Sequence, residues 1–161
     1  FLGIYTEAEE DKGRAVIVMH GTGIHPDSQQ VIQPLRVGLT EFNWNTLSIQ
    51  MPILPNDAEY PEYAPLYDEV APRINTAIQY LKKNGSDNIG LIGHRQGAAM
   101  TAYYLSTSKT SVKGFVAISM GAFAKNPRMN SIKAVEKINV PVLDQYATED
   151  LDNIRNTILT F

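Results

Sequence analysis

The chain has 161 residues, 43% of them hydrophobic and 19% charged, which suits one globular domain with a buried core. Fourteen basic and 17 acidic residues leave a net charge of −3, which argues against nucleic acid as a partner. The absence of cysteine excludes disulfides, thiolate metal sites and a cysteine nucleophile, and no apolar run approaches the roughly 18 residues of a membrane span.

Five segments are predicted as β-strands. Residues 15–19 (AVIVM) form a continuous apolar run, typical of a strand buried on both faces, whereas residues 46–51 alternate between apolar and polar side chains. Residues 1–5 are a candidate sixth strand, joined to residues 15–19 in a hairpin through the polar turn at 9–13. The other three predicted strands are residues 88–92, 113–119 and 140–146.

Helical patterns fill the gaps between these strands. In residues 63–83, apolar side chains recur at helical spacing; Pro65 suits the first turn, and Pro72 is expected to kink or restart the helix. Gly85 is predicted to end it with a left-handed cap. The alternation predicts a single α/β domain over residues 1–161, with a mostly parallel central sheet flanked by helices. Shorter helices are predicted at residues 97–105, 129–137 and 151–159.

A glycine-rich turn, residues 20–23 (HGTG), follows the first apolar strand. Glycines at the carboxyl end of a strand permit a tight turn and expose N–H groups where α/β proteins usually bind ligands. Pro26 stands where a dinucleotide fingerprint requires its third glycine, and the next strand ends near Gln50 without an acid for the ribose. We therefore expect no nicotinamide or flavin cofactor, and a plain strand-to-helix turn remains an alternative interpretation.

Residues 93–97 (GHRQG) lie between the strand at 88–92 and a helix of small residues, which is the setting of the nucleophile elbow G-x-S-x-G. The glycines of an elbow allow a sharp turn against the neighbouring strand, and the central side chain faces the pocket. The central residue here is Arg95, whose guanidinium stays protonated and cannot act as a nucleophile. Alternatively, Gly93 and Gly97 serve only the close packing of the helix on the sheet.

The acid and the histidines complete the candidate residues. Asp150 follows the last predicted strand, where an acid can orient a catalytic histidine. No histidine follows His94, so we favour Asp150 as the N-cap of the helix at 151–159. His20 and His25 are five positions apart in one loop without a nearby acidic ligand, and we expect no metal site there.

The chain resembles the α/β-hydrolase fold in the order of three features. These are the glycine-rich turn at 20–23, the strand, elbow and helix around residues 93–97, and the acid at Asp150 after the last predicted strand. The chain resembles more closely a poorly characterised, often exported bacterial family of α/β-hydrolase-like proteins of the DUF3530 type. This resemblance implies a periplasmic location, and a final strand and general-base histidine that would follow Phe161, so that the domain is truncated before them. The segments that carry it are FLGIYTEA, VIVMHGTGIHPD, IQPLRVGL, WNTLSIQMPIL, YAPLYDEVAPRI, LIGHRQGAA and VPVLDQYATEDL.

The resemblance also implies roles for individual residues. Gly21 and Thr22 match the loop that donates one oxyanion-hole N–H group, and Gln96 matches the donor after the nucleophile. Asp150 matches the acid, and Arg95 occupies the nucleophile position.

Two hypotheses about function follow. In the first, Arg95 marks a degenerate hydrolase fold without serine-hydrolase activity that binds a small-molecule ligand, an anion or a protein partner. In the second, the retained oxyanion loop and Asp150 belong to an active esterase-like hydrolase with a non-standard nucleophile. His20 and His94 are expected to line the pocket in either case. Arg95 and the N–H groups around Gln96 would bind an anion, unless Arg95 turns to solvent or pairs with Asp150.

A third class of function, a structural component of the cell envelope, rests on family analogy alone.

Overall fold

The computed structural model describes residues 1–150, which form an α/β structure around a six-stranded sheet. The strand order is β1-β3-β2-β4-β5-β6, and every neighbouring pair is parallel except β1 and β3. The predicted α/β class with a mostly parallel sheet is therefore confirmed. The strands are β1 (Gly3–Thr6), β2 (Arg14–Met19), β3 (Asn45–Ile49), β4 (Asn88–His94), β5 (Phe115–Ile118) and β6 (Val142–Gln145).

The predicted hairpin of residues 1–5 with residues 15–19 is wrong. β1 pairs antiparallel with β3, with Gly3 opposite Ile49. Both edges of β2 are occupied by parallel partners, β3 on one side and β4 on the other. A strand as apolar as β2 needs neighbours on both sides, whereas the less buried β1 suits the edge of the sheet.

Within residues 1–150, four α-helices connect the strands: α1 (Ile32–Gly38), α2 (Val70–Lys83), α3 (Gln96–Thr107) and α4 (Ser131–Val135). The helix predicted over 63–83 divides into a 3₁₀ helix at Tyr60–Glu69 and α2. Pro72 lies in the first turn of α2, where proline is tolerated, so the predicted restart is confirmed. Gly85 has a φ of 87°, which confirms the left-handed cap.

Two other predicted helices do not match the structure over their full length or cannot be compared with it. The helix predicted at 129–137 is the shorter α4, and the one predicted at 151–159 lies outside the described residues. The sequence pattern did not predict α1, a helix of seven residues with Pro34 in its first turn, or the 3₁₀ helix at Leu39–Phe42 that follows it.

The sheet is covered on both faces. Ala15, Ile17 and Met19 of β2 join the core cluster that includes α2, α3 and α4, and Val16 and Val18 join the cluster on the α1 side. All five residues are at most 6% exposed, so the predicted burial on both faces is confirmed. Burying one valine, isoleucine or methionine side chain contributes about 1.5–3 kcal/mol to the free energy of unfolding. The core thereby fixes the parallel strands whose carboxyl ends carry the candidate site.

Candidate functional site

The candidate site begins at the turn between β4 and α3. Arg95, the N-cap of α3, has a φ of 51° and a ψ of −118°, a backbone conformation that residues other than glycine rarely adopt. Its N–H group donates to the carbonyl of Ile118 at 2.8 Å, and its carbonyl accepts from the N–H group of Ala98 at 3.0 Å. The neighbouring strand and the first turn of α3 thus hold a strained residue at the position expected of an elbow.

The two glycines of the motif are required by close approach. A Cβ atom on Gly97 would lie 2.4 Å from the carbonyl oxygen of His20, and one on Gly93 would lie 2.5 Å from the Cα atom of Ala98. Such distances leave no room for any side chain. The glycines therefore serve close packing, as the alternative interpretation expected, and they do so beside a strained central residue.

The loop after β2 rests against this turn. A Cβ atom on Gly21 would lie 3.1 Å from the Cβ atom of Arg95 and 3.7 Å from the backbone nitrogen of Gln96. Thr22 is exposed directly after it. The N–H group of Gln96, the first residue of α3, has no acceptor inside the helix. The structure thus brings Gly21, Thr22 and Gln96 close to Arg95, and the oxyanion roles of Gly21, Thr22 and Gln96 remain predictions.

His20 was expected to line the pocket, but its side chain is buried in the fold and only 1% exposed. Its Nδ1 lies 2.7 Å from the carbonyl oxygen of Gly21, and its Nε2 accepts from the N–H group of Met51 at 3.0 Å. Nδ1 then carries the proton and donates it to Gly21. Burial lowers the pKa of His20, which keeps the imidazole neutral. His20 therefore ties the glycine loop to the end of β3.

His94 is half-buried next to Arg95, and its Nδ1 has no hydrogen-bond partner among the described residues. Burial and the charge of Arg95 lower the pKa of His94, while the nearby charge of Asp150 opposes the shift. Gln96 is 5% exposed, and its Nε2 is likewise without a partner in the described part of the chain. His94 at the end of β4 and Gln96 at the start of α3 therefore each have a polar side-chain atom that forms no hydrogen bond with the described residues.

A cleft of about 570 Å³ opens between the glycine loop and the elbow. Its walls are residues 22, 24–25 and 28–31 of the loop after β2, together with His94 and Arg95. None of these lining residues is acidic. Arg95 is exposed, and no ion pair within residues 1–150 includes it, so the pair with Asp150 is not formed. The described part of the cleft wall therefore presents a positive charge without a neutralising carboxylate.

Asp150 instead contacts Ser119. The Ser119 hydroxyl donates to Oδ2 of Asp150 at 2.5 Å, and the N–H group of Ala147 lies 3.4 Å from the same oxygen. Ser119 directly follows β5 and has a φ of 51°. Ser119 was not predicted as a site residue, although its place at the carboxyl end of a predicted strand indicates a position where α/β proteins bind ligands. The proposed N-cap role of Asp150 concerns a helix outside the described residues.

Neither a metal centre nor a membrane helix is found within the described 150 residues. No group of three or more His, Asp or Glu side chains in this part of the chain is arranged to hold a metal ion. None of its helices is long and apolar enough to cross a bilayer.

Comparison with solved structures identifies several proteins of similar fold. The Pyrococcus furiosus esterase Pf2001 matches with a TM-score of 0.67 and 19% identity, over 96% of this chain and 71% of that one. A putative thioesterase from Silicibacter sp. TM1040 matches with a TM-score of 0.65 and 14% identity, over 96% and 65%. MenH from Staphylococcus aureus matches with a TM-score of 0.58 and 15% identity, over 74% and 42%. Identities this low establish the α/β-hydrolase fold alone.

The chain thus spans between 42% and 71% of the length of these three proteins. The sequence model of the protein family of unknown function DUF3530 matches residues 1–72 and 59–157. No curated protein gives a significant match.

Proposed function

The chain belongs to the protein family of unknown function DUF3530 and has an α/β-hydrolase fold, and on that premise we propose that it binds a small anionic ligand at Arg95. The elbow residue anchors the carboxylate or phosphate group of this ligand and supplies no nucleophile. In this sense the serine-hydrolase chemistry of the elbow is degenerate.

The charge of Arg95, which forms no ion pair within residues 1–150, is the observation that carries this proposal. The guanidinium stays protonated at any physiological pH and presents a planar fork of N–H groups, which suits bidentate contact with a carboxylate or phosphate. Arg95 is exposed in a cleft whose lining, among the described residues, includes no acidic side chain. Its strained backbone is held from both sides, so the side chain leaves the fold from a fixed point.

The start of α3 supports the same conclusion. α3 is 12 residues long, and its first-turn N–H groups and macrodipole favour an anion near Gln96. The Nε2 of Gln96 is a further buried donor without a partner among the described residues. An anion bound by Arg95 would therefore lie near the positive end of the helix dipole as well as the guanidinium.

The cleft wall indicates a polar ligand. Ser28, Gln29 and Gln30 contribute a hydroxyl and two amide groups to it, and Thr22 adds a second hydroxyl. Such groups suit a ligand with hydroxyl or amide groups of its own better than a long acyl chain.

An ester hydrolase is the second candidate function, and the close contact of the Gly21 loop with the elbow favours it. Such an enzyme needs a nucleophile other than Arg95. Removing the nucleophile of a serine-hydrolase triad lowers the rate by about 10⁶, so an arginine elbow alone leaves little turnover.

The anion site is tested by thermal unfolding with increasing phosphate, sulfate or acetate. A ligand that binds only the folded state raises the unfolding temperature. We expect a rise for the wild type that is lost in Arg95→Ala. Lys83→Ala is the matched control, because it removes one positive charge from the exposed far end of α2. Equal stabilisation of all three proteins would contradict the proposal.

A further inference from the structure

We infer that Ser119 and Asp150 form a reactive pair, a serine nucleophile with a carboxylate as its general base, which acts on an acyl ester at the carboxyl edge of the sheet. The inference goes beyond ligand binding at Arg95. It gives the second candidate function the nucleophile that the elbow lacks.

The position of Ser119 is the first observation behind this inference. β4 and β5 are parallel with His94 opposite Ile118, so the next residues, Arg95 and Ser119, end adjacent strands side by side. Both have a φ of 51°, a conformation uncommon for residues other than glycine. Strain of this kind persists only where surrounding contacts impose it, and it clusters at functional sites. The N–H group of Ser119 donates to the carbonyl of Gln145 at 2.7 Å, which is one such contact.

The hydrogen bond to Asp150 is the second observation. A serine hydroxyl is a weak nucleophile until a base within hydrogen-bond reach accepts its proton. Ser119 Oγ lies 2.5 Å from Asp150 Oδ2, although 31 residues separate the two along the chain. All eight serines of the chain lie in the described part, and of these Ser119 alone donates to a carboxylate. A serine placed only for packing does not require this arrangement.

The charged groups beside the pair suit an acyl substrate. Arg95 supplies a positive charge at the neighbouring strand end, and the charge of Asp150 acts on His94 at the same edge. A positive charge near a reacting carbonyl stabilises the oxyanion of a tetrahedral intermediate. The expectation that the substrate carries its own carboxylate or phosphate rests on the proposed function at Arg95. The reactivity of Ser119 does not depend on that function.

The chemistry balances with these groups and water. Asp150 takes the hydroxyl proton as Ser119 Oγ bonds to the ester carbonyl carbon, and the π pair moves to the carbonyl oxygen. The intermediate collapses to acyl-Ser119 and expels the alkoxide, which takes the proton from Asp150. Water then attacks the acyl group with Asp150 as base, and the acid is released as Ser119 recovers its proton.

A fluorophosphonate probe tests the inference directly, because it phosphonylates activated serines. Cleavage by trypsin after Lys113 and Lys125 gives a peptide, residues 114–125 (GFVAISMGAFAK), in which Ser119 is the sole hydroxyl-bearing residue. We expect the wild-type adduct on this peptide, and its loss after heat denaturation before labelling. Because the wild-type protein decides the site of labelling, the result does not depend on the folding of any variant.

Three variants then test the role of each group. Ser119→Ala should not be labelled, and Asp150→Asn should be labelled at least tenfold more slowly. Ser111→Ala, which changes an exposed serine in the loop between α3 and β5, should be labelled at the wild-type rate. An unlabelled wild type, an adduct on another peptide, or full labelling of Ser119→Ala would overturn the inference. Full labelling of Asp150→Asn would overturn the role of the base.

Phosphate titration of the wild type, with Arg95→Ala as the comparison, separates the two proposals. Labelling of Ser119 in a wild type that phosphate does not stabilise supports the reactive serine and contradicts the anion site. Stabilisation by phosphate in an unlabelled wild type does the reverse.

Discussion

The Cα atom of Gly97 lies so close to the carbonyl of His20 that a Cβ atom would stand 2.4 Å from its oxygen. The same atom would lie 2.6 Å from the carbonyl oxygen of Met19. The helix that begins at the elbow is therefore seated directly on the end of β2, with no side chain between them. This contact fixes the distance between the glycine loop and Arg95, and so the width of the candidate site.

Gly97→Ala tests this contact. The added methyl group meets backbone atoms, which cannot move aside as a flexible side chain would, so we expect a loss of unfolding free energy of about 3 kcal/mol or more. Gly38→Ala is the control: a Cβ atom there has no neighbour within 4 Å and φ is −65°. It should be neutral or stabilise by roughly 0.5 kcal/mol. Urea unfolding measures both, and equal stability of the two variants would exclude the close contact.

Arg95→Gly should stabilise the fold while it removes the proposed anion site. Glycine adopts a φ of 51° without steric cost, whereas a strained residue costs about 1–3 kcal/mol, partly offset by the greater entropy of glycine in the unfolded chain. We expect a net gain near 1 kcal/mol relative to Arg95→Ala, which keeps the strain. Chemical denaturation compares the two variants, and phosphate should stabilise neither. A glycine variant less stable than the alanine variant would show that Arg95 is unstrained.

Much of the fold could be predicted, because strands such as β2 and β4 are marked by local apolar runs. Which strands pair could not, since the turn at residues 9–13 looks the same whether β1 turns back on β2 or crosses to β3. α1 was missed because it is short and carries Pro34, a residue that usually interrupts a helix. The extent of the domain over residues 1–161 and its export stay predictions.

The candidate site could be predicted where glycines mark it. Gly93 and Gly97 leave a trace in the sequence because close approach admits no other residue. Ser119 leaves no such trace, since its conformation and its bond to Asp150 arise from contacts between distant parts of the chain. The burial of His20 was hidden for the same reason, because its partner Met51 follows another strand.

Asp27→Ala should destabilise the loop that forms one wall of the cleft. Arg36 Nη2 lies 2.7 Å from Asp27 Oδ1, and its side chain is only 13% exposed. Removing the carboxylate leaves a largely buried guanidinium with one partner fewer, which costs about 1–3 kcal/mol. Glu10→Ala is the control, because its pair with Lys12 is exposed and should contribute less than about 1 kcal/mol. Equal losses in urea unfolding would contradict a structural role for the Asp27 pair.

His20 should make the fold less stable in mild acid. Burial holds its folded-state pKa below the ordinary 6.5, so the unfolded chain binds the proton more tightly. The stabilisation is complete above pH 6.5 and declines as pH falls through that value towards the lowered pKa of the folded state. Protonation also removes the lone pair of Nε2 that accepts from Met51, so the charged form cannot keep the bond that ties the loop to β3.

Urea unfolding at pH 7.5 and pH 5.5 measures this dependence. The wild type should lose stability between the two values, and His20→Gln, although less stable at pH 7.5, should lose less because the coupled proton is gone. His94, whose pKa burial also lowers, should leave part of the dependence in that variant. His25→Gln, a change at an exposed histidine, is the control and should keep the wild-type difference. If His20→Gln also keeps it, the neutral imidazole of His20 is not what holds the glycine loop in place.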